Sequence, residues 1–180
     1  MITVRGKKID VLFGASTIAV RNLELAKDIA AHDYHDLLVV SILKGSFVFA
    51  ADLIRAMHDA GLAPEVEFIT ISSYGAGTVG GDVKVLRDID SNVGGRDVLL
   101  IDDILESGNT LKFTRDLLMS RGAKSVSIAV LLDKAMHRKA DLKADYVGFD
   151  CPDYFVVGYG MDVAHAFREL PFVGVVAGDA

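Results

Sequence analysis

Two spacings of apolar residues alternate along this chain. The stretches 37–43 (LLVVSIL), 96–101 (RDVLLI) and 125–133 (SVSIAVLLD) contain unbroken runs of aliphatic residues, which predict strands buried on both faces. Stretch 65–73 (EVEFITISS) alternates apolar with polar and reads as a further strand. Shorter strands are expected over 82–86 (DVKVL), 145–149 (DYVGF) and 155–160 (FVVGYG). Between them, 17–33, 46–60 and 109–122 repeat apolar residues at intervals of three and four, the spacing of helices. Ser16 or Thr17 is placed to cap the first helix and Asn109 or Thr110 the third, while Gly61 and Gly122 end the second and third. Alternating helices and buried strands predict an α/β fold around a mostly parallel sheet. Ligands of such sheets bind beyond the carboxyl ends of the strands, which points to the loops after Leu43, Ile101 and Leu132.

Composition narrows the partners. A chain of 180 residues with no linker, repeat or low-complexity segment reads as one domain over 1–180. It is 51% hydrophobic and 24% charged, as globular proteins are, and no apolar run is long enough to span a bilayer. The opening MITVRGKKID has basic residues but no apolar core after them, unlike a signal peptide. A single cysteine, Cys151, rules out an intramolecular disulfide framework and fits a reducing, cytoplasmic setting. The formal charge of −6, without a Lys or Arg block, argues against nucleic acid as a partner. An anionic ligand would have to be met by backbone amides, a few placed cations and a metal.

The most informative stretch is 98–111, VLLIDDILESGNTL. The pattern reads as a buried strand that ends in two acids, Asp102 and Asp103, with a third, Glu106, on the turn beyond and Ser107-Gly108-Asn109-Thr110 leading into a helix. Strand, glycine turn and helix N-terminus make an anion cradle, because successive N–H groups and the helix dipole face the turn. There is no Walker lysine, so an NTPase loop does not fit. Acids beside a phosphate cradle make sense if the ligand also carries sugar hydroxyls and a divalent cation; the alternative is a turn with solvated acids. The sequence GAGTVG at 75–80 has the form of a dinucleotide fingerprint, but strand-like GDVKVL follows it where a helix is required. Tyr74 to Gly81 is read instead as a flexible loop, either a lid over a site or a hairpin tip without function. None of His32, His35, His58, His137 and His165 shows metal-ligand spacing, and none is assigned a role.

These motifs resemble those of the hypoxanthine-guanine phosphoribosyltransferases, a family of type I phosphoribosyltransferases. VLLIDDILESGNTL is similar to the motif that binds phosphoribosyl pyrophosphate (PRPP), SILKGSFVFAADL (41–53) to the pyrophosphate loop, and ISSYGAG with DVKVL to the mobile lid. LLDK (131–134) matches the purine-contact lysine segment, and PDYFVVGYGMD (152–162) with FRELPFVG (167–174) the purine-stacking and metal segment. The resemblance covers nearly the whole chain. It implies the type I phosphoribosyltransferase fold, a mostly parallel sheet flanked by helices with a small hood and a flexible lid loop. It also implies the reaction of a purine base with PRPP to give a nucleoside monophosphate and pyrophosphate, Mg²⁺ as cofactor, and a homodimer or homotetramer.

Residue by residue, the resemblance implies that Asp102 and Asp103 accept hydrogen bonds from the ribose hydroxyls and that one helps hold Mg²⁺ through water. Ser107, Gly108, Asn109 and Thr110 would bind the 5′-phosphate, and Lys44, Gly45 and Arg168 the pyrophosphate, with a cis peptide between Lys44 and Gly45 as a family feature. Ser73 and Tyr74 would close the lid. Lys134 would donate to the purine 6-oxo group, Phe155 would stack on the ring, the Val156 backbone would read the purine edge, and Asp162 would ligate Mg²⁺. Glu106 would take the proton from purine N7. Here the chain departs from the family, which usually has Asp at that position and often Glu where Asp102 stands. Local readings compete with each role. Phe155 is also a plausible core residue, Lys134 a solvated residue after a strand, Asp162 a helix N-cap before VAHAF, Lys44 a surface turn residue, and Arg168 a partner of Glu169 or Asp162. Two functions remain beside the first: a phosphoribosyltransferase for xanthine, adenine or uracil, and a PRPP-binding regulator acting through RNA.

Overall fold

In the computed structural model, which describes residues 1–74 and 82–178, the apolar runs lie at the centre of a six-stranded sheet. A second sheet of four strands flanks the site. The elements are β1 (Ile2–Val4), β2 (Lys7–Phe13), α1 (Ala15–Ala30), β3 (Leu38–Leu43), α2 (Phe47–Asp59), β4 (Glu65–Tyr74), β5 (Asp82–Arg87), β6 (Asp97–Leu105), α3 (Asn109–Ser120), β7 (Ser125–Asp133), β8 (Tyr146–Asp150), β9 (Val156–Val157) and β10 (Val173–Val176). The large sheet runs β5-β4-β3-β6-β7-β8, parallel except for β5, which pairs antiparallel with β4 at the edge.

Alternate residues of β6 enter opposite cores, which is why its sequence is apolar at every central position. Leu99 and Ile101 pack with Ile18, Leu25 and Ile29 of α1 and Phe49, Leu53 and Met57 of α2. Val98 and Leu100 pack with Leu111 and Leu118 of α3. All four strand residues are fully buried, and each buried side chain of this size contributes about 1.5–3 kcal/mol. Among the described residues no helix is long and apolar enough to cross a membrane.

The predicted strands and helices are all present among the described residues, with shifted boundaries. The first helix starts at Ala15 and ends at Ala30, with Gly14 and not Ser16 or Thr17 at its N-cap. FVVGYG forms a strand only at Val156–Val157, because Gly158 and Tyr159 turn into the positive-φ region. Strand β6 does not stop before its acids; it continues through Asp102 and Asp103 to Leu105, paired with β7 as far as Leu105 opposite Asp133. The small sheet, β1-β2-β10-β9, is antiparallel throughout. It forms the hood, and its strands β1, β2 and β10 were not expected from the sequence. The GAGTVG stretch lies outside the described residues, but the backbone resumes as strand β5 at Asp82, not as the helix a dinucleotide fingerprint needs.

Candidate active site

The ladder between β3 and β6 ends at Ser41 opposite Ile101, so the two acids follow directly beyond it at the carboxyl edge of the sheet, with Asp102 still paired to Val130 of β7. The Asp103 N–H donates to Asp102 Oδ1 at 2.9 Å and the Ile104 N–H to Asp103 Oδ1 at 2.7 Å. The chain then turns through Glu106, Ser107 and Gly108, where Gly108 has φ +83° and forms the N-cap of α3. Neither Asn109 nor Thr110 caps the helix; the Asn109 N–H donates to Ser107 Oγ at 3.2 Å. A cavity of about 240 Å³ opens here, lined by Asp102, Asp103, Glu106, Ser107, Gly108 and Thr110 with three aliphatic neighbours. The strand, glycine turn and helix N-terminus expected of an anion cradle are present, with the acids beside them. Asn109 contributes the first residue of α3 but no part of the lining.

A second cavity of about 170 Å³ shares Asp103, Ile104 and Glu106 with the first and adds Lys134, Phe155, Val156, Met161 and Asp162. Lys134 is only 7% exposed, which removes the solvated reading. Its Nζ lies 3.4 Å from Glu106 Oε1 and 3.8 Å from Asp153 Oδ1. Phe155, the expected core residue of the alternative reading, is 52% exposed and leaves its ring available to a ligand. Val156 is buried, held by pairing with Val175. Asp162 caps no helix, since the chain turns back through Val163 and Ala166; its Oδ2 accepts the His165 N–H at 2.7 Å and its Oδ1 lies 3.3 Å from Arg168 Nη2. Arg168 also donates from Nη1 to the Gly160 carbonyl at 2.7 Å.

The third loop follows β3. A cis peptide joins Leu43 to Lys44, one bond earlier than the Lys44–Gly45 position suggested by resemblance. Lys44 is an exposed turn residue. Gly45 presses against the acids: a Cβ there would lie 2.1 Å from Asp103 Oδ2, and a Cβ on Gly160 would lie 2.7 Å from the Gly45 carbonyl. Three segments distant in sequence therefore meet at Gly45. The Gly45→Ala variant should fold, because the clashing atom is the end of a side chain, but it must displace the Asp103 carboxylate. A fall in kcat/KM for the ligand of the cradle, with an unchanged melting temperature, is the expected result.

Ser73 and Tyr74 are the last residues of β4, Ser73 lines neither cavity, and the loop expected to form a lid lies outside the described residues. A larger cavity, about 690 Å³, lies between α1, the start of α2 and the 168–171 segment, and borders the site through Arg168. The convergence of polar groups, not volume, marks the site. Sequence reasoning missed three neighbours. His137 Nε2 is 3.0 Å from Asp153 Oδ2, and Arg138 donates to the Glu106 carbonyl at 2.9 Å. Glu106, His137 and Asp153 bring donor atoms within 4.8 Å of one another, the one such group of three among the described residues; Asp102, Asp103 and Asp162 do not form one. No spacing signal marks His137, Arg138 or Asp153, because they come together through the β7 turn and the 150s loop.

Electrostatics set the demand of the site. Burial, then the charge of Asp103, holds the Asp102 carboxyl well above the usual carboxylate range. Burial also raises Asp103, against the pull of its hydrogen bonds to Asp102 and the Ile104 amide and of the Arg168 charge. Two adjacent carboxyls in a half-buried cleft ionise reluctantly unless a ligand brings donors or positive charge. Hydroxyl donors and a divalent cation are such ligands.

A family model described as a phosphoribosyl transferase domain matches residues 14–164. The chain is 46% identical over 169 residues to the hypoxanthine-guanine phosphoribosyltransferase of Bacillus subtilis, covering 92% of each chain. It is 43% identical over 173 residues to the hypoxanthine phosphoribosyltransferase of Salmonella typhimurium, covering 93% of this chain and 95% of that one. The crystal structure of a hypoxanthine-guanine phosphoribosyltransferase from Bacillus anthracis superposes with a TM-score of 0.88 at 43% identity, over 94% of this chain and 99% of that one.

Proposed function

Because this chain belongs to the hypoxanthine-guanine phosphoribosyltransferases within the phosphoribosyl transferase family, we propose that it works in purine salvage, transferring the phosphoribosyl group of PRPP to hypoxanthine and guanine. The products are the nucleoside monophosphate and pyrophosphate. One observation carries the reading at the level of residues. Two cavities, one ending in an anion cradle and one holding a buried ammonium beside an exposed ring, share a wall made of Asp103, Ile104 and Glu106. A bond between ligands held in the two cavities forms at that wall.

Asp102 and Asp103 accept the ribose hydroxyls, and the amides and hydroxyls of the 107–110 turn hold the 5′-phosphate. Lys44, Gly45 and Arg168 receive the pyrophosphate, while Ser73 and Tyr74 close over the reacting carbon to keep water from it. Lys134 donates to the purine 6-oxo group, Phe155 stacks on the ring and the Val156 backbone reads its edge. Displacement at the anomeric carbon develops positive charge on the sugar, as in glycoside chemistry, and the carboxylates beneath it stabilise that charge. Glu106, on the shared wall, takes the N7 proton as the base attacks.

The acids also suit a magnesium ion. Asp162 and Asp103 face one cavity with oxygen donors, the ligand type this ion prefers. Asp162, with Asp102 or Asp103 through water, would hold it, and the bound ion would neutralise the charge of the departing pyrophosphate. Pyrophosphate release from PRPP, measured with and without hypoxanthine, tests the proposal. Release should require the base and should fall to background in excess chelator. Full activity in chelator would contradict the metal assignment, and no release with the base and metal present would contradict the function.

A further inference from the structure

We propose that Arg138 is the positioning residue that holds the Glu106 carboxylate and the Lys134 ammonium at their working separation. This rests on the roles given above to Glu106 and Lys134. Arg138 lines neither cavity, so it acts through other groups. It follows the 3-10 turn Ala135–His137, which begins just after Lys134. Its Nε donates to the Glu106 carbonyl at 2.9 Å, Nη2 to the Leu105 carbonyl at 3.3 Å and Nη1 to the Leu142 carbonyl at 3.1 Å. Nη2 also pairs with the Asp133 carboxylate. One guanidinium is thus bonded to Glu106 itself and to the residue immediately before Lys134.

The need for such a clamp follows from where β6 ends. The Leu105 carbonyl accepts the Lys134 N–H at 2.9 Å as the last backbone link to β7, and beyond it the carbonyls of Glu106 and Ser107 require other donors. Arg138 supplies them from one side, and the N–H groups of Lys139 and Ala140 both donate to the Ser107 carbonyl at 2.9 Å. The stem of Arg138 packs beneath the left-handed glycine of the cradle: a Cβ on Gly108 would lie 3.3 Å from Arg138 Cδ. The Lys134–Glu106 contact it frames is loose, 3.4 Å between Nζ and Oε1, so nothing in that contact alone fixes its length. A planar fork with five donors serves four acceptors in different directions, which a lysine cannot do.

The test compares Arg138→Lys, Arg138→Gln, Glu106→Gln and the double variant Glu106→Gln/Arg138→Gln, reading kcat at saturating PRPP and hypoxanthine together with melting temperature. A misplacement of about 1 Å at a reacting group costs about 10²-fold in rate, and kcat should fall by about that much in Arg138→Gln and by about tenfold in Arg138→Lys. The double variant should be slower than Glu106→Gln by well under the loss in Arg138→Gln alone, because the part of the effect that runs through Glu106 is gone once the carboxylate is removed and only the part through Lys134 remains. Native kcat in the folded Arg138→Lys variant would overturn the inference, and so would losses that multiply in the double variant. If Arg138→Gln does not fold, the Arg138→Lys comparison decides. Native kcat in Glu106→Gln would instead overturn the role of Glu106, a failure distinct from that of Arg138.

Discussion

Replacing Glu106 by Gln should lower kcat by about 10²–10⁴-fold, the usual cost of removing a general base, with the KM for PRPP nearly unchanged. Gln keeps the shape of the side chain and its hydrogen bonding but cannot take the purine proton. The side chain of Glu106 is 46% exposed, so the fold should tolerate the change. Lys134 would retain Asp153, 3.8 Å away, as a partner. The sugar and phosphate contacts lie on Asp102, Asp103 and the 107–110 turn, which explains why PRPP binding should survive. The Glu106→Asp variant is the sharper probe. The turn is fixed by Arg138 and by the Lys139 and Ala140 amides, and the carboxylate retreats by about one carbon–carbon bond, roughly 1.5 Å. The contact with Lys134 is then lost and kcat should fall. An Asp variant as fast as the native protein would show that the turn adapts to the shorter residue, and a Gln variant at native kcat would move the proton to another group.

Lys134 should set the choice of base, with a preference for hypoxanthine over adenine in kcat/KM of about 10⁴-fold or more. A site built around a donated hydrogen bond rejects a ligand that cannot accept it by about that factor. The ammonium has only donors, and a 6-amino group offers it nothing. Its burial at 7% exposure makes the mismatch costly, since little water can replace the missing partner. Glu106 and Asp153 flank it and keep its charge compensated when no ligand is bound. The Lys134→Gln variant has an amide that can both donate and accept. It should therefore lose efficiency with hypoxanthine and narrow the ratio. A native ratio in that variant would place the selection elsewhere, with the backbone near Val156 as the remaining reader.

Much of this was legible in the sequence because the relevant signals are local. Continuous aliphatic runs gave the buried strands, three-and-four spacing gave α1 to α3, and the acids with Ser107-Gly108-Asn109-Thr110 gave the cradle. What could not be read depends on pairing across the chain. Two aspartates after four aliphatic residues look like the end of a strand, yet Asp102 pairs with Val130 and the ladder continues to Leu105. The β1–β2 hairpin has a mostly exposed surface, with only Ile9 buried in β2, so its pattern carries little hydrophobic signal. The burial of Lys134 comes from the cavity around it, not from its neighbours in LLDK. Arg138 sits in the polar run HRKADLK, and its bonds to the carbonyls of Leu105 and Glu106 span more than thirty residues. Gly61 and Gly122 end α2 and α3 as expected, but the N-caps were misread because glycines, Gly14 and the left-handed Gly108, and not side-chain oxygens, begin α1 and α3.

The most direct measurement is to incubate the protein with PRPP and Mg²⁺ and supply hypoxanthine, guanine, xanthine, adenine and uracil in turn, following the nucleotide formed. Monophosphate and an equal amount of pyrophosphate should form with hypoxanthine and guanine, and none above background with adenine or uracil. Comparable turnover of adenine and hypoxanthine, or no nucleotide from any base, would contradict the proposed function.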